Sequence, residues 1–310
     1  MNNSEISIVI PVRDRERLIV RCLDSVKAQS WRPFKVVVVD NGSTDRTRDV
    51  VEEWIRLNST PDLQVSLIDE PNPGAARARN RGLSVVDSEF VLFFDSDDVM
   101  HPDLVKEAVK GFTNERKVDI VHWRSRLILG GGKVQKKKFN VSDYWRYQIY
   151  HALFSTQCFA VRTDYFRQIG TWNESLPVWN DWEVGIRLLL GNPAMIAIDK
   201  VLVDIYPQKE SITGENFHSK AGEWERAIDA AEKAVADSGR KDSAWLIDMI
   251  NYRRAILAAH YHREKRPDLA TPLLEKAINH PNLTKRRCWL LKMLYKYTAL
   301  GGRGAYMLWS

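Results

Sequence analysis

The sequence predicts an α/β fold, in which a doubly wound, mostly parallel central sheet has helices on both faces and is followed by a C-terminal helical extension. Three observations carry this prediction. Short apolar runs typical of buried strands alternate with helix-patterned segments as far as residue 100. The last of these runs, Phe90–Phe94, stops abruptly in three carboxylates. From Ala221 onward the pattern is helical only.

The first hundred residues predict four strands separated by three helices. Each strand is a short run of mainly apolar residues, and each helix carries apolar residues at helical spacing. Strands that alternate with helices in this way form parallel sheets. We expect strands at Ile6–Ile10, Lys35–Val39, Gln64–Ile68 and Phe90–Phe94, and helices around Leu18–Val26, Val50–Ile55 and Ala75–Leu83.

The stretch from residue 101 to about 215 predicts a second half of the same domain. We expect a helix from Pro102, further helices at Asp164–Ile169 and Trp179–Leu190, strands at Val118–Val121, Gln157–Val161 and Val201–Ile205, and a hairpin of Arg126–Leu129 with Val134–Phe139. We therefore place one domain at 1–215, divided near residue 100, and a helical region at 216–310.

The composition is that of a soluble globular protein with a modest net charge of +6. Three scattered cysteines fit neither a disulfide framework nor a zinc site, which favours a reducing cytoplasm. No apolar run reaches the roughly 20 residues of a membrane-spanning helix, and the first residues lack a signal-peptide pattern. The positive charge is concentrated in the tail, so we expect no nucleic-acid partner.

The last predicted helix is both basic and amphipathic. After Glu275 the chain has no acidic residue, whereas lysines and arginines recur as far as Arg303. Apolar side chains such as Trp289 and Met293 lie among these cations. Such a helix suits the anionic inner face of a membrane, and packing on the rest of the chain or on a partner explains the pattern equally well.

Asp95 and Asp97 follow the fourth predicted strand, with Ser96 between them. In extended backbone their side chains point the same way, and ligands of open α/β sheets bind at the carboxyl ends of the strands. Two oxygen ligands suit a hard divalent cation, Mg²⁺ or Mn²⁺, that keeps positions open for phosphates. A turn followed by a helix cap before His101 would explain the same acids.

The first half has features of a nucleotide site without a glycine-rich loop. Asp40 ends the second predicted strand, where its carboxylate can accept hydrogen bonds from a base or a ribose. Dinucleotide sites and P-loops need glycines after the first strand, where this chain has Pro11–Asp14. A metal and basic side chains would then hold the phosphates, and the candidates are Arg77, Arg79 and Arg81, which cannot all face one ligand.

Four motifs occur in order along the chain: Ser7–Val12, Val37–Asp45, Asn72–Leu83 and Phe93–Asp98. Together they resemble the family 2 glycosyltransferases, which have the GT-A fold, over residues 5 to roughly 210. The resemblance implies an inverting transferase that uses a metal ion and a nucleoside-diphosphate sugar, most often a uridine one. The implied acceptor is a hydroxyl of a saccharide or lipid-linked glycan, in the synthesis of cell-surface polysaccharide or glycoconjugate.

Carried over by position, the resemblance assigns Asp40 to the base and Arg79 to the nucleotide. Asp95 and Asp97 become an Asp-x-Asp pair, in which Asp97 ligates the metal and Asp95 is shared between metal and ribose. The resemblance also implies that three further residues line the nucleotide-sugar site, namely Pro11, Arg13 and Ser96.

The chain departs from the family pattern in two places. The family commonly has an aromatic residue and then an asparagine where this chain has Arg13 and Asp14, although a guanidinium can also stack on a base. The second acid that usually follows Asp40 is Asn41 here, which removes a charge and keeps an acceptor.

The helix that begins near Trp179 carries two acids, Asp181 and Glu183. They project to roughly opposite faces, so only one can serve a site. Asp181 lies in the first turn, where the helix dipole stabilises the ionised carboxylate that a general base needs. The resemblance assigns the deprotonation of the acceptor to Asp181, and ordinary helix capping is the alternative. Metal-dependent relatives often take a third metal ligand after this half, for which His218 is the candidate.

The predicted reaction is a single displacement that inverts the anomeric carbon. One rival is a sugar-phosphate nucleotidyltransferase, which normally has a glycine-rich basic loop after the first strand. The other is a non-catalytic scaffold that binds nucleotide sugars and acts through its helical tail. We expect a cytoplasmic protein, whose basic tail is the candidate for peripheral membrane contact.

Overall fold

A mixed β-sheet organises the first part of the structure. The computed structural model describes residues 6–114, 117–136, 139, 141–208, 216–281, 283–302 and 304. Within these residues the sheet has nine strands, which are β1 Ile6–Val12, β2 Phe34–Asp40, β3 Leu63–Asp69, β4 Phe90–Phe93, β5 Val99–Met100, β6 Ile120–Ile128, β7 Val134–Lys136, β8 Phe159–Arg162 and β9 Met195–Ile205.

The strand order is β3-β2-β1-β4-β8-β6-β9-β5, with β7 paired to β6. β3, β2, β1 and β4 are parallel neighbours. β8 runs antiparallel to both β4 and β6, while β6 and β9 are parallel to each other. The short strands β5 and β7 are antiparallel to β9 and β6. Most of the described strands therefore run in one direction, as predicted, and the parallel neighbours are concentrated in the first half.

The helices lie largely where helical periodicity predicted them. They are α1 Ile19–Lys27, α2 Thr47–Asn58, α3 Ala75–Leu83, α4 Leu104–Asn114, α5 Tyr144–His151, α6 Thr163–Gln168, α7 Asn180–Leu190, α8 Ala221–Asp237, α9 Ser243–Arg263, α10 Pro267–Ile278 and α11 Lys285–Ala299. Among the described residues, no helix is both long and apolar enough to cross a bilayer.

Several boundaries differ from the predicted ones. β1 continues through Pro11 to Val12, and β9 starts at Met195, well before the predicted Val201. The strand predicted at Val118–Val121 and the first arm of the hairpin are one strand, β6. α5 has no counterpart in the prediction, because its aromatic residues show no clear helical stripe. The second hairpin arm was predicted to reach Phe139, and residues 137 and 138 lie outside the described residues.

The chain divides into two compact units. The first, the sheet unit, comprises Met1–Val141, Leu153–Pro177 and Gly191–Gln208. The second, the helical unit, comprises Ser142–Ala152, Val178–Leu190 and Lys209–Ser310. Helices α5 and α7 therefore cluster with the C-terminal helices, although α5 precedes α11 by more than a hundred residues in the chain.

The core of the sheet unit consists of strand residues packed against the apolar faces of its helices. Ile8, Ile10 and Leu92 are fully buried in one cluster with Leu23 of α1 and Leu104 of α4. Fully buried parallel strands need continuous apolar runs, which explains why the strand predictions in this half succeeded. This core holds the carboxyl ends of the parallel strands in fixed register.

The helical unit has its own core and an ionic network around one buried arginine. Trp182 of α7 and Trp224 of α8 pack into one apolar cluster with α9. Arg254 of α9, only 1% exposed, donates to carboxylates of Asp229 and Glu232 at 2.6 Å each. Burial acts to raise the pKa of Asp229, but hydrogen bonds from Lys276 and Arg254 outweigh it and lower that pKa. The ionised Asp229 carboxylate therefore contributes to folding stability, and this contribution is lost as the pH falls through the lowered pKa.

Replacing Gly82 with alanine is expected to destabilise the sheet unit. A Cβ at Gly82 of α3 would lie 2.3 Å from Cγ1 of Val9 and 3.1 Å from Cγ2 of Val39, so the helix would have to move off the sheet. Overpacking of this kind costs roughly 1–3 kcal/mol. Chemical unfolding of Gly82→Ala should show that loss.

Gly222 of α8 provides the matched control. A Cβ there meets only Nη1 of Arg226 at 3.7 Å, and alanine is favoured over glycine in a helix by about 1 kcal/mol. Gly222→Ala should therefore leave the protein as stable as the wild type or more so. Equal stability of Gly82→Ala and the wild type would contradict the tight approach of α3 to β1.

Candidate active site

The carboxyl ends of the parallel strands bring polar side chains to one edge of the sheet. Val12 of β1 is in register with Asp40 of β2, which is in register with Asp69 of β3. Asp40 is only 6% exposed, and its Oδ1 accepts a hydrogen bond from the Ser43 amide at 3.0 Å. A buried carboxylate beside the edge is thus oriented by its own loop, with the Arg48 guanidinium 3.9 Å from its Oδ2.

The loop after β1 is tied to the loop after β2 by Asp14. Its Oδ1 accepts from the amide of Thr44 at 2.7 Å and from the hydroxyl at 3.2 Å. The Thr44 amide is the main reason that the pKa of Asp14 is lowered. Asp14 has φ +50°, a conformation uncommon outside glycine. The Arg13 side chain before it is 49% exposed, and Pro11 is half-buried.

Asn41 acts as a clamp between two loops. Its amide nitrogen donates to the carbonyls of Glu70 and Asn72 at 2.9 and 2.7 Å, and its Oδ1 accepts from the Gly74 amide at 2.8 Å. A carboxylate could not make the two donations, so the amide that departs from the family pattern suits this contact. The hydrogen-bond acceptor predicted to remain at Asn41 is its Oδ1, which the Gly74 amide occupies.

Asp95 is held by a buried arginine from α3. Nη2 of Arg79 lies 2.9 Å from Oδ1 of Asp95, and the guanidinium stacks 4.7 Å from the centroid of the Trp172 ring. Arg79 is 5% exposed and Ser96 7%. Of the three arginines considered on this helix, Arg79 is therefore the one that reaches the Asp-x-Asp pair.

The pKa of the Asp97 carboxyl is raised from its ordinary value. Burial raises its pKa, and the neighbouring charge of Asp95 raises it further, against the opposing effects of Arg15 and Arg21. Nε of Arg15 lies 4.0 Å from Oδ2 of Asp97, while Arg21 donates to the backbone carbonyl of Asp97 and stacks 3.8 Å from the Tyr206 ring. Sequence patterns did not single out Arg15, in the loop between β1 and α1, or Arg21, in the first turn of α1.

The third acid of the run, Asp98, has a structural role. Its Oδ2 accepts from the side-chain amide of Gln157 at 2.7 Å, and its Oδ1 accepts from the backbone amide of Tyr206 at 2.9 Å. It is 3% exposed. Asp98 therefore ties β9 and the residues before β8 to the end of β4, next to the pair that remains accessible.

The Asp-x-Asp pair fits a divalent cation. The charge of Asp95 raises the pKa of Asp97, which shows that the two carboxylates repel each other. A hard cation bound by both would offset this repulsion. Among the described residues, no group of three or more His, Cys, Asp or Glu side chains forms a metal cage. Two carboxylates with open positions match a metal that also binds substrate phosphates.

Asp181 and Glu183 have different environments at the start of α7. Glu183 is 2% exposed, and both of its oxygens accept hydrogen bonds from Arg187 at 2.7 and 2.8 Å. Asp181 is half-buried, and its Oδ1 accepts from the Trp182 amide at 2.8 Å in the first turn. Glu183 thus serves the packing of the helical unit, and Asp181 is the more exposed of the two carboxylates.

His218 lies in a short 3₁₀ helix, Phe217–Lys220, of the helical unit. Its Nδ1 is 2.9 Å from Oε2 of Glu264, and that carboxylate also accepts from the backbone amides of Phe217 and His218. A carboxylate on one ring nitrogen is the usual partner of a metal-binding histidine. Only Nε2 would then face a metal.

The sheet unit thus collects seven of the predicted site residues at its carboxyl edge: Pro11, Arg13, Asp40, Arg79, Asp95, Ser96 and Asp97. The two others, Asp181 and His218, belong to the helical unit. Arg15, Arg21, Gln157 and Tyr206 are the residues that sequence reasoning missed, because their roles depend on contacts across the sheet rather than on local pattern.

Comparison with known proteins places this geometry in a family. The model described as "Glycosyl transferase family 2" matches residues 7–170, more than half of the chain. Glycosyltransferase GlyA of Streptococcus pneumoniae is 33% identical over 108 residues, which are 35% of this chain and 15% of that protein. Poly(ribitol-phosphate) β-N-acetylglucosaminyltransferase TarS of Staphylococcus aureus is 34% identical over 132 residues, 42% of this chain and 22% of that protein. The matched parts thus span well under two thirds of these relatives.

Solved structures share the fold. TarS residues 1–349 of S. aureus, in complex with UDP-GlcNAc, has a TM-score of 0.75 at 18% identity, covering 97% of this chain and 89% of that one. Mannosyltransferase PcManGT from Pyrobaculum calidifontis, in complex with GDP-Man and Mn²⁺, has a TM-score of 0.58 at 18% identity, covering 98% and 89%. The chain therefore belongs to glycosyl transferase family 2, a family of glycosyltransferase enzymes, and has the predicted GT-A fold.

Proposed function

We propose that this protein is an inverting glycosyltransferase that moves a sugar from a uridine diphosphate sugar to a hydroxyl of a saccharide or lipid-linked glycan. The observation that carries the proposal is the Asp95–Asp97 pair, beside three arginines, at the same sheet edge as the buried Asp40. The UDP-GlcNAc complex of TarS supports a uridine donor, and the GDP-Man complex of PcManGT supports a nucleotide sugar in general.

In the proposed donor site, Asp40 accepts a hydrogen bond from the base, and Arg13 stacks on that base beside Pro11. Arg79 helps to hold the nucleotide and orients Asp95, which is shared between the ribose and the metal, and Ser96 lines the same site. Arginine suits contacts with the diphosphate because its fork of donors matches phosphate oxygens.

Asp95 and Asp97 would hold a Mn²⁺ or Mg²⁺ ion, with its remaining positions open for the diphosphate. When bound, such an ion supplies Lewis-acid neutralisation of the charge that develops on the diphosphate. PcManGT, whose structure contains Mn²⁺, supports this assignment.

The proposed chemistry is one displacement. The acceptor oxygen forms a bond to the anomeric carbon while the bond from that carbon to the diphosphate oxygen breaks, and the diphosphate keeps the electron pair. Asp181 takes the proton of the acceptor hydroxyl. Attack from the face opposite the diphosphate inverts the anomeric carbon, as in inverting glycosidases. The ion pair of Glu183 with Arg187 supports Asp181 as the base.

Isothermal titration tests the donor proposal against its rivals. The panel contains UDP-GlcNAc, UDP-glucose, GDP-mannose and nucleoside triphosphates, each with and without Mn²⁺, followed by assays of UDP release. We expect a UDP sugar to bind tightest and its affinity to depend on the metal. Tightest binding of triphosphates would instead favour a nucleotidyltransferase, and binding without hydrolysis or transfer would favour a scaffold.

We propose further that α11 rests on an anionic lipid surface at the inner membrane face, where a lipid-linked acceptor would lie. Leu291, Leu294 and Thr298 form the buried face of this helix. The side chains of an opposite stripe are exposed, with Trp289 at 62%, Met293 at 46%, Tyr297 at 44% and Leu300 at 90%. The exposed cations beside this stripe are Lys285, Arg286, Lys292 and Lys296. An apolar stripe flanked by cations suits an anionic interface.

Vesicle co-sedimentation checks this contact. Wild-type protein should bind phosphatidylglycerol-containing vesicles and not pure phosphatidylcholine. Each surface cation contributes about 1 kcal/mol, so Lys292→Gln with Lys296→Gln should weaken partitioning roughly tenfold to thirtyfold. Trp289→Ser should weaken it as well, while Leu57→Ser, at a position 64% exposed in the sheet unit, should not. Concentration-dependent dimers that Trp289→Ser abolishes, without vesicle binding, would instead show a contact between two copies.

A further inference from the structure

Arg253, in the middle of α9, packs against the two tryptophans that flank Asp181. Its guanidinium carbon is 4.4 Å from the centroid of the Trp179 ring and 5.1 Å from that of the Trp182 ring. The two rings are 5.8 Å apart and inclined at 53°. A cation over tryptophan faces is attracted to them electrostatically. The helical unit thus places a fixed positive charge beside the first turn of α7.

The position of this guanidinium is set by the end of α5. Its Nη1 donates to the carbonyl oxygens of Ile149 and Tyr150 at 3.0 and 3.4 Å. Such carbonyls at the end of a helix have no partner within it. Nε1 of Trp182 donates to the same Ile149 oxygen at 3.1 Å. Arg253 and the residue after Asp181 are therefore anchored at one point.

The turn that presents Asp181 has an unfavourable backbone. Trp179 has φ +50°, which is rare for a bulky residue, and its carbonyl accepts from the Glu183 amide at 2.9 Å to start α7. The Trp179 ring packs edge-on to Trp224 at 4.8 Å and against Arg253. Since a strained turn persists only when its surroundings hold it, these contacts determine where the first turn of α7 begins.

We propose that Arg253 is a positioning residue for Asp181. Arg253 holds the Trp179–Trp182 turn in place and keeps the Asp181 carboxylate ionised before proton transfer. This inference rests on the proposed role of Asp181 as the base. It assigns to the C-terminal helices a part in the chemistry, through α9.

The charges around Arg253 agree with this role. Burial lowers the pKa of Arg253 to about 10, while Asp181 and Tyr252 act in the opposite direction, so the guanidinium stays charged at neutral pH. His260 on the same helix also interacts with Arg253, and the pKa of this histidine is lowered chiefly by burial. Asp181 is the carboxylate among these partners, and the interaction is reciprocal because a nearby cation favours the ionised acid.

A carboxyl ¹³C titration tests the inference without turnover. In protein labelled at the aspartate carboxyls, the signal of Asp181 is the one lost in Asp181→Asn. Arg253→Gln keeps an amide donor for Ile149 and removes the charge, whereas Arg253→Lys keeps the charge. We expect the titration midpoint of Asp181 to rise by about 0.5–1 pH unit in Arg253→Gln. In Arg253→Lys it should stay within about 0.2 pH unit of the wild-type midpoint. Arg263→Gln, at an exposed position in the last turn of α9, is the matched control and should leave the midpoint unchanged.

Kinetics separate this inference from the proposed function. The acidic limb of the pH profile for UDP-GlcNAc hydrolysis should move upward in Arg253→Gln by the same amount as the NMR midpoint, with the KM for the donor unchanged. An unchanged Asp181 midpoint in folded Arg253→Gln would overturn the inference while leaving Asp181 as the base. Full hydrolysis by Asp181→Asn would instead remove the proposed base, whatever the midpoint shows.

Discussion

Replacement of Asp181 by asparagine is expected to lower sugar transfer by about 10²–10⁴-fold, the range that a general base contributes. Asparagine keeps the size of the side chain and an oxygen for the Trp182 amide, so α7 should keep its first turn. An amide cannot accept the proton of the acceptor hydroxyl, so kcat falls. Donor affinity should stay within a factor of about two, because the predicted donor contacts all lie in the sheet unit.

Glu183→Gln is the informative companion to this variant. Glu183 forms a buried, two-oxygen ion pair with Arg187, and removing one partner of such a pair destabilises a protein by about 3–5 kcal/mol. Glu183→Gln should therefore lower the melting temperature while the folded fraction keeps its kcat. UDP release in the presence of an acceptor and thermal unfolding measure the two effects. A large loss of kcat in folded Glu183→Gln, with normal turnover by Asp181→Asn, would move the base to Glu183.

Replacement of Asp97 by asparagine is expected to abolish metal-dependent turnover, with a loss of at least about 10³-fold. A neutral amide is a weaker ligand for a hard cation than a carboxylate, and Asp97 is the residue to which the family resemblance assigns the metal. Titration calorimetry with Mn²⁺ should show the weaker metal binding directly. Excess EDTA should reduce wild-type activity to the level of the variant.

The same substitution should make the metal-free protein more stable. Burial and the charge of Asp95 raise the pKa of Asp97, so the ionised form costs folding free energy at neutral pH. The sign follows from linkage: an acid whose folded-state pKa is raised destabilises the fold above that pKa and has no effect once it is protonated. Asp97→Asn should thus raise the melting temperature at pH 7, and this gain should disappear near pH 3.

Asp103→Asn is the control for the Asp97 experiment. Asp103 is an exposed acid that follows β5, six residues beyond Asp97, and its side chain accepts a hydrogen bond from Ser30. Its removal changes the net charge equally without touching the Asp-x-Asp pair. Equal losses of Mn²⁺ affinity in the two variants would show a general charge effect and would contradict a metal site at Asp97.

The central strands and their polar ends were predictable because their causes are local. A strand that is covered on both faces needs an uninterrupted apolar run, and the acids that follow such runs stand at the carboxyl edge of a parallel sheet. Asp40, Asp95 and Asp97 follow directly from that rule. The lengths of β6 and β9 were not predictable in this way, because their extra residues are held by mutual pairing with register shifts near Trp123 and Arg124.

The helix missed by sequence reasoning, α5, shows the same limit. Only Gln148 and Ile149 of its residues are fully buried, so no apolar stripe marks it. Gln148 donates to the carbonyl of Trp182 at 2.8 Å, and a Cβ at Gly185 would lie 2.2 Å from its amide nitrogen. The helix is thus specified by contact with α7, which is distant in sequence.

By itself the sequence determined the α/β fold class, the family and the acids at the sheet edge, because apolar runs and strand ends are local properties of the chain. Only the tertiary structure decided what surrounds each acid. Asp181 and Glu183 are two residues apart on one helix and indistinguishable by periodicity. The structure buries Glu183 against Arg187 and places Asp181 between two tryptophans that Arg253 holds. The physical reason is that charge and burial depend on neighbours from distant helices, which no local pattern records.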